Sequence, residues 1–415
     1  MKILIQALSK INILNKNQYD FFIVLIQGFI GITGKRTFRN LARYMQIDEH
    51  TFSRQMAKAF NFIGLNTEMI KSSKNNGEIL IAAQDASFMQ KSGKSTHGLG
   101  FFWNGCASKA EKGLELDEIA IIKINGDKKE GYHLSAQQTP SNGISKADKK
   151  KKKIGEPTRI DHYLQHAKQV LPQLIELGIR YMAFDAFLAK DKYVNGLVEL
   201  GLHGISKLRM DARLKRLYTG PQKARGRKRL FDNGSIGFND FKDADVVKVN
   251  DEDEGVIELR QQKLYSVSLK RIINVVSIRK YKASNEYGEI FLFSTDLELS
   301  AIQIYQYYAA RFQIEFIFRD AKGFTGLTDF QTRDARRIHF HINASLTALN
   351  VAKLQDAAMQ QEQDVQHAFS MTNWARKYHV DIIINRFISM FGFDQTSIKS
   401  HPDYESFLSF GNITH

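Results

Sequence analysis

The sequence predicts an α/β protein in which helices pack on a mixed sheet, with a β-rich insertion and helical regions at both ends. Three observations carry this reading. Residues 79–83 and 179–184 are apolar runs of strand length, each followed by an aspartate within two residues, with helix-length periodic segments between and after them. Residues 246–293 hold three further strand-like runs close together. Residues 1–70, and those from 300 to about 393, space apolar side chains three and four apart with no strand alternation.

At 415 residues and 43% hydrophobic content, the chain can bury a sizeable core in two or three domains. Lys and Arg number 59 against 44 Asp and Glu, a net charge of +15, which favours a polyanionic partner: DNA, RNA or an anionic membrane on charge alone. The longest apolar run, residues 21–32, contains Gln27 and falls short of the roughly 18 apolar residues that a membrane span needs. It reads as a buried helix. Gln6, Ser9, Lys10 and Asn12 interrupt what a signal peptide would keep apolar. The single cysteine, Cys106, excludes an internal disulfide framework and a multi-cysteine zinc site, and fits a reducing cytoplasm.

The charge lies in blocks. Residues 146–153 hold six lysines and Asp148, a run that reads either as a solvated loop or as a contact to a phosphate backbone. Residues 207–229 hold ten basic residues and one acid, Asp211, and end in Arg225, Gly226, Arg227, Lys228 and Arg229. Glycine permits close backbone approach there, and arginine forks match phosphate oxygens, so this cluster reads as a nucleic-acid contact. Residues 240–258 reverse the sign, with eight acids against Lys242 and Lys248.

Near the N-terminus, residues 37–45 form a short amphipathic helix, and Asp48 can cap a second one that turns Phe52, Met56 and Phe60 inward. The pair reads as a helix-turn-helix presenting His50, Ser53, Arg54 and Lys58 to a major groove. The turn lacks the usual glycine near Gln46, so a plain helical bundle stands as the alternative. After a polar linker at 72–76, strands are expected at 79–83, 98–103, 118–124, 132–135, 179–184 and 204–208, and helices at 160–177 and 190–200. Asp85 and Asp185 follow two of these strands. Ser300 with Gln303 forms a capping-box pattern, predicting a helix to Lys322 with Gly323 ending it.

On that helix Ile302, Tyr305, Ala309, Phe312 and Phe316 make an apolar stripe expected to be the core face. Tyr308, Arg311, Glu315 and Lys322 fall beside it within an arc of roughly 60° at 100° per residue. A salt-bridged surface helix could show the same charges.

These four residues, with their spacing of two, three and six intervening positions, resemble the Y-(2)-R-(3)-E-(6)-K signature of the IS-four family of insertion-sequence transposases. The resemblance implies a ribonuclease-H-like catalytic core over roughly residues 79–354, with the β insertion before the glutamate helix. It makes Asp85, Asp185 and Glu315 the catalytic and metal-binding triad. Three carboxylates brought together call for divalent cations, since two unit charges at 4 Å repel by roughly 4 kcal/mol at an effective dielectric of 20. Two Mg²⁺ ions per site are implied, with Mn²⁺ as a substitute. Tyr308, Arg311 and Lys322 then read as ligands of DNA phosphates.

The resulting expectation is a bacterial, nucleoid-associated cytoplasmic DNA transposase. It would bind terminal inverted repeats, cleave the ends and join 3′-hydroxyls to target DNA as a homodimer in a synaptic complex. The domain plan is a helical DNA-binding region (1–75), the first part of the catalytic core (76–245), the β insertion (246–297), the last part of the core (298–355) and a C-terminal helical region (356–415). The rival readings are a non-catalytic DNA-binding descendant and a stand-alone metal-dependent nuclease. The family's hairpin-forming members carry a tryptophan in the insertion, whereas Trp103 and Trp374 lie outside it; Tyr265, Tyr281 and Tyr287 are the aromatic residues within it. Asp191 reads as a helix-start residue and Asp211 as a local ion-pair partner. The sequence at 93–96 lacks the upstream glycine of a phosphate-binding loop. His162 and His166 have no evident third zinc ligand, and His339 and His341 are expected at the surface.

Overall fold

The structure is a computed structural model that describes residues 1–412 except 12–14, 76, 142–156, 210, 233, 235, 237–240, 242–244, 252–254 and 282–286. The lysine run at 146–153 lies outside the described residues, as does part of the acidic block. The chain opens with helices α1 (Lys2–Lys10), α2 (Lys16–Gly31), α3 (Phe38–Met45), α4 (Glu49–Gln55) and α5 (Phe62–Ser72). A reciprocal capping box of Asn15 and Gln18 starts α2, which buries Phe22, Leu25, Ile26, Phe29 and Ile30. The apolar run at 21–32 is thus a core helix.

Thr37 caps α3, and Asp48 caps α4 by accepting the His50 N–H at 2.8 Å. Phe52 and Met56 are fully buried, and Phe60 stacks on Phe22 with centroids 4.2 Å apart. Gln46 adopts φ 56°, the left-handed conformation that glycine usually supplies, and so makes the turn without one.

Strands β1 (Ile79–Gln90), β2 (Gly100–Asn104), β3 (Lys109–Asn125) and β4 (Lys128–Gln138) follow, then α6 (Arg159–Glu176), β5 (Tyr181–Phe184), α7 (Asp191–Glu199), β6 (His203–Lys207) and the short β7 (Leu214–Lys215). The β-rich stretch contributes β8 (Asp245–Asp251), β9 (Gly255–Ser266), β10 (Arg271–Tyr281) and β11 (Tyr287–Ser294). All join one mixed sheet in the order β2-β3-β1-β5-β6-β11-β10-β9-β7, with β4 on β3 and β8 on β9. β1, β5 and β6 are parallel, β3 runs antiparallel to β1, and β4, antiparallel to β3, runs in the direction of β1 again. This mixed α/β arrangement is consistent with the ribonuclease-H-like expectation. The strands of the 246–297 region extend the sheet itself through β11 on β6.

Helices α8 (Ala301–Ala310), α9 (Gln313–Phe324), α10 (Ala335–Gln363), α11 (Met371–Phe391), α12 (Gln395–Lys399) and α13 (Tyr404–Leu408) complete the described chain. No helix among the described residues is long and apolar enough to cross a membrane. The Ser300–Gln303 capping box starts α8 as expected, but the single helix to Lys322 does not form. It breaks at Arg311 and Phe312, and α9 runs on through Gly323, with the left-handed glycine at Gly326 (φ 72°).

The expected core stripe is also corrected. Ile302 and Phe312 are exposed, whereas Ile304, Tyr307, Ile314, Ile317 and Phe318 are buried. Two apolar stripes share this segment, and the fold covers the one through Ile304, Tyr307, Ile314 and Ile317. His341 is buried instead of lying at the surface: its Nε2 pairs with the Gly326 carbonyl at 2.7 Å, and burial lowers its pKa to about 4.

Candidate active site

Register brings the two aspartates together. β1 and β5 pair in parallel through Ala82 with Met182, Ala83 with Ala183 and Gln84 with Phe184, and that pairing stops there. The next residue on each strand is Asp85 and Asp185. Asp185 ends its strand as expected and caps a short turn by accepting the Phe187 N–H at 3.3 Å. Asp85 does not end its strand: β1 continues to Gln90 along β3, with Asp85 opposite Glu118. The parallel neighbour diverges there and the antiparallel one does not, so Asp85 stands at the opening between them.

Arg311 lies in the tightened turn between α8 and α9, where hydrogen bonds span three residues, and its side chain enters this opening. Its guanidinium donates to Asp85 Oδ2 at 2.6 Å and lies 3.5 Å from Glu315 Oε1. Burial pushes the Asp85 carboxyl up to about 6; Arg311 and the Ala86 N–H oppose that shift, while repulsion from Asp185 and Glu315 adds to it. Burial works against the Arg311 charge, yet Asp85, Tyr308, Asp185 and Glu315 outweigh it and raise its pKa. Tyr308 lies under the guanidinium, 5.6 Å from ring centroid to carbon, and its hydroxyl pKa is raised by burial and by both aspartates. Lys322 donates to Ser87 Oγ at 2.8 Å and to the Phe88 carbonyl at 3.1 Å, on the continuation of β1. The three acids, Tyr308, Arg311 and Lys322 thus gather around the Asp85 stretch of one strand.

The family model for the transposase DDE domain matches residues 85–351. The chain belongs to the DDE transposase family. No curated protein matches it in a search of such sequences. DDE transposases generally use divalent metals, and the donor chemistry at this transposase's site fits one: carboxylate oxygens suit a hard cation. Among the described residues, no three His, Cys, Asp or Glu side chains are already arranged to hold a metal ion. The Arg311 charge instead stands against Asp85 at 2.6 Å and beside Glu315 at 3.5 Å.

The other basic residues singled out in the sequence lie elsewhere on the transposase. Arg225, Arg227, Lys228 and Arg229 are exposed in the loop between the bridge residues Leu217 and Phe231. Gly226 has φ 98°, and Arg229 is held over the Tyr218 ring at 4.4 Å and bonded to the Phe231 carbonyl. This loop follows β7, six strand positions from β1, or about 29 Å at ~4.8 Å per step. Arg54 and Lys58 are exposed on and just after α4, whose Ser53 carbonyl accepts from Arg337 at 2.9 Å. Asp211 pairs with Arg209 at 3.1 Å, and Asp191 with Lys270 at 2.6 Å.

Sequence reasoning missed the polar layer beneath the aspartates. Gln84 donates to both oxygens of the buried Asp117 at 2.9 and 3.0 Å and accepts from Tyr193 on α7. Asp117 also holds His166 at 2.8 Å, whose other ring nitrogen meets Ser135 at 2.9 Å. The strand before Asp85 is thereby tied to the helix after Asp185. Asn343 and Asn350, seven residues apart on α10, bond the backbone of β4 at Ala136 and His133, closing that sheet edge. Two polar residues seven apart on a helix were the available signal.

Proposed function

We propose that this DDE transposase binds the terminal inverted repeats of its element, cleaves the ends and joins the freed 3′-hydroxyls to target DNA. The observation that carries it is the convergence of Asp85, Asp185 and Glu315 with Tyr308, Arg311 and Lys322 beside the end of the β1–β5 pairing. The fixed spacing of those last four supports placement in the IS-four family. Asp85, Asp185 and Glu315 would hold two Mg²⁺ ions, or Mn²⁺ in their place. Bound there, the ions would activate the attacking oxygen and stabilise the leaving one.

The chain's own groups have separable tasks. Asp85 must give up its proton before it can ligate a cation, and Arg311 keeps the site near neutral until then. Arg311 and Lys322 then face the scissile phosphate as charged donors, and Tyr308 supports the guanidinium plane. The water proton leaves to solvent as its oxygen attacks phosphorus, the P–O3′ bond breaks, and the departing 3′-oxygen takes a proton from solvent to become the hydroxyl that later attacks target DNA.

Arg225, Arg227, Lys228 and Arg229 would contact DNA backbone, and Arg54 and Lys58 a groove. Two subunits are expected because two transposon ends must meet. The domain plan from helical DNA-binding region through interrupted core to C-terminal helical region is part of the same proposal.

The test is to incubate the protein with Mg²⁺ and linear DNA carrying the repeats that flank its own gene, beside Glu315→Gln. Excision and joined products from the native protein alone support the reading, with at least about 100-fold loss in the variant. Cutting by the variant at the native rate sinks the triad assignment. Cleavage without joined product favours a nuclease, and binding without cutting by both favours a non-catalytic descendant.

A further inference from the structure

The sheet face that carries Asp85 does not end at the active site. In antiparallel pairs, directly opposite residues share a face. Asp85 stands opposite Glu118, Ser87 opposite Leu116 and Met89 opposite Leu114. Further along β3, Lys112 stands opposite Phe101 and Ala110 opposite Trp103. Alternation along β3 from 118 to 110 puts Asp85, Ser87, Phe101, Lys112 and Trp103 all on one face. Phe102 points to the other, where it is buried beneath Arg159 on α6.

Phe101 and Trp103 are 39% and 61% exposed, although both are large apolar groups on the edge strand of the sheet. A cation borders them: Lys112 is the cross-strand partner of Phe101, while Lys109 lies on the other face with Asn104 and pairs with Glu111 at 3.1 Å. Two flat rings beside Lys112 match the requirement for holding nucleic-acid bases, whose π-faces stack on aromatic side chains while a cation meets the backbone. Bases inside a duplex are already stacked, so the bases that could use these rings are unpaired.

We infer that Phe101 and Trp103 form a stacking platform for unpaired bases of the DNA substrate, on the sheet face that Asp85 shares. The inference rests on the transposase reading above. Along β3, the platform begins six residues from Asp85's partner and ends eight away.

The experiment uses the full chain with Glu315→Gln in a metal-free buffer, so that DNA is bound and not cut. Its probes are a repeat-bearing duplex with a single-stranded extension of about eight nucleotides and a blunt duplex of equal length. The extended duplex should bind about ten-fold tighter. Adding Trp103→Ala should abolish that preference and leave blunt-duplex binding unchanged, while Trp103→Phe should retain most of it. Trp374 is the other tryptophan and is buried, so fluorescence quenching by the extension alone should be lost in Trp103→Phe. Equal binding of both duplexes by the parent, or a preference that survives Trp103→Ala, overturns the platform and leaves the transposase reading intact. Failure of the parent to bind either duplex overturns both.

Discussion

Arg311 donates to Asp85 at 2.6 Å from the kink between two helices, 226 residues away in sequence. That contact is only part of what sets the Asp85 carboxyl. Burial and the nearby Asp185 and Glu315 raise it to about 6 despite the guanidinium. A folded-state pKa above the unfolded value of 3.8 means that the native state holds the proton more tightly. Stability from this group is full below about pH 4 and is lost as pH rises to about 6. Relative to Asp85→Asn, the native protein should therefore lose up to about 3 kcal/mol of stability between pH 4 and pH 7. Urea unfolding of both proteins at the two pH values measures it, and a pH-independent difference contradicts the assignment.

The same carboxylates should respond to a divalent cation. For a site of about 1 mM affinity, about 10 mM Mg²⁺ should stabilise the native protein by roughly 1.4 kcal/mol at pH 7. Asp85→Asn and Glu315→Gln should gain much less. An equal gain in all three, read by thermal or urea unfolding, would put the cation elsewhere.

Arg225, Arg227 and Arg229 are exposed on a loop about 29 Å across the sheet from β1. Replacing all three with alanine should weaken DNA binding at every sequence tested. The slope of log affinity against log salt should flatten by up to about 0.9 for each lost phosphate contact. Titrations at several salt concentrations give the slope, and an unchanged slope removes this loop from the interface.

Gln84 supplies two hydrogen bonds to the buried Asp117 and accepts one from Tyr193. Gln84→Leu keeps most of the volume but leaves the carboxylate short of donors. It should cost about 2–3 kcal/mol in urea unfolding. A loss below about 0.5 kcal/mol would show that the layer does not hold β1 against α7.

The sequence by itself determined the pieces that depend on neighbours a few residues apart. The capping pairs at Ser300 and Asp48, the strand-length runs before Asp85 and Asp185, and the spacing from Tyr308 to Lys322 were all legible for that reason. Tertiary structure decided what depends on distant segments. The register of Gln84 with Phe184 sets the two aspartates side by side, and no local pattern encodes which residues pair across 100 positions. Burial of the Ile304, Tyr307, Ile314 and Ile317 stripe in place of Ile302 and Phe312 was decided by which face the rest of the fold covers. The contact of Arg311 with a carboxylate 226 residues away on β1 likewise exists only in the folded chain. Buried polar partners such as Gln84 and Asp117 were hidden for the same reason: each satisfies a group that only the folded chain brings near.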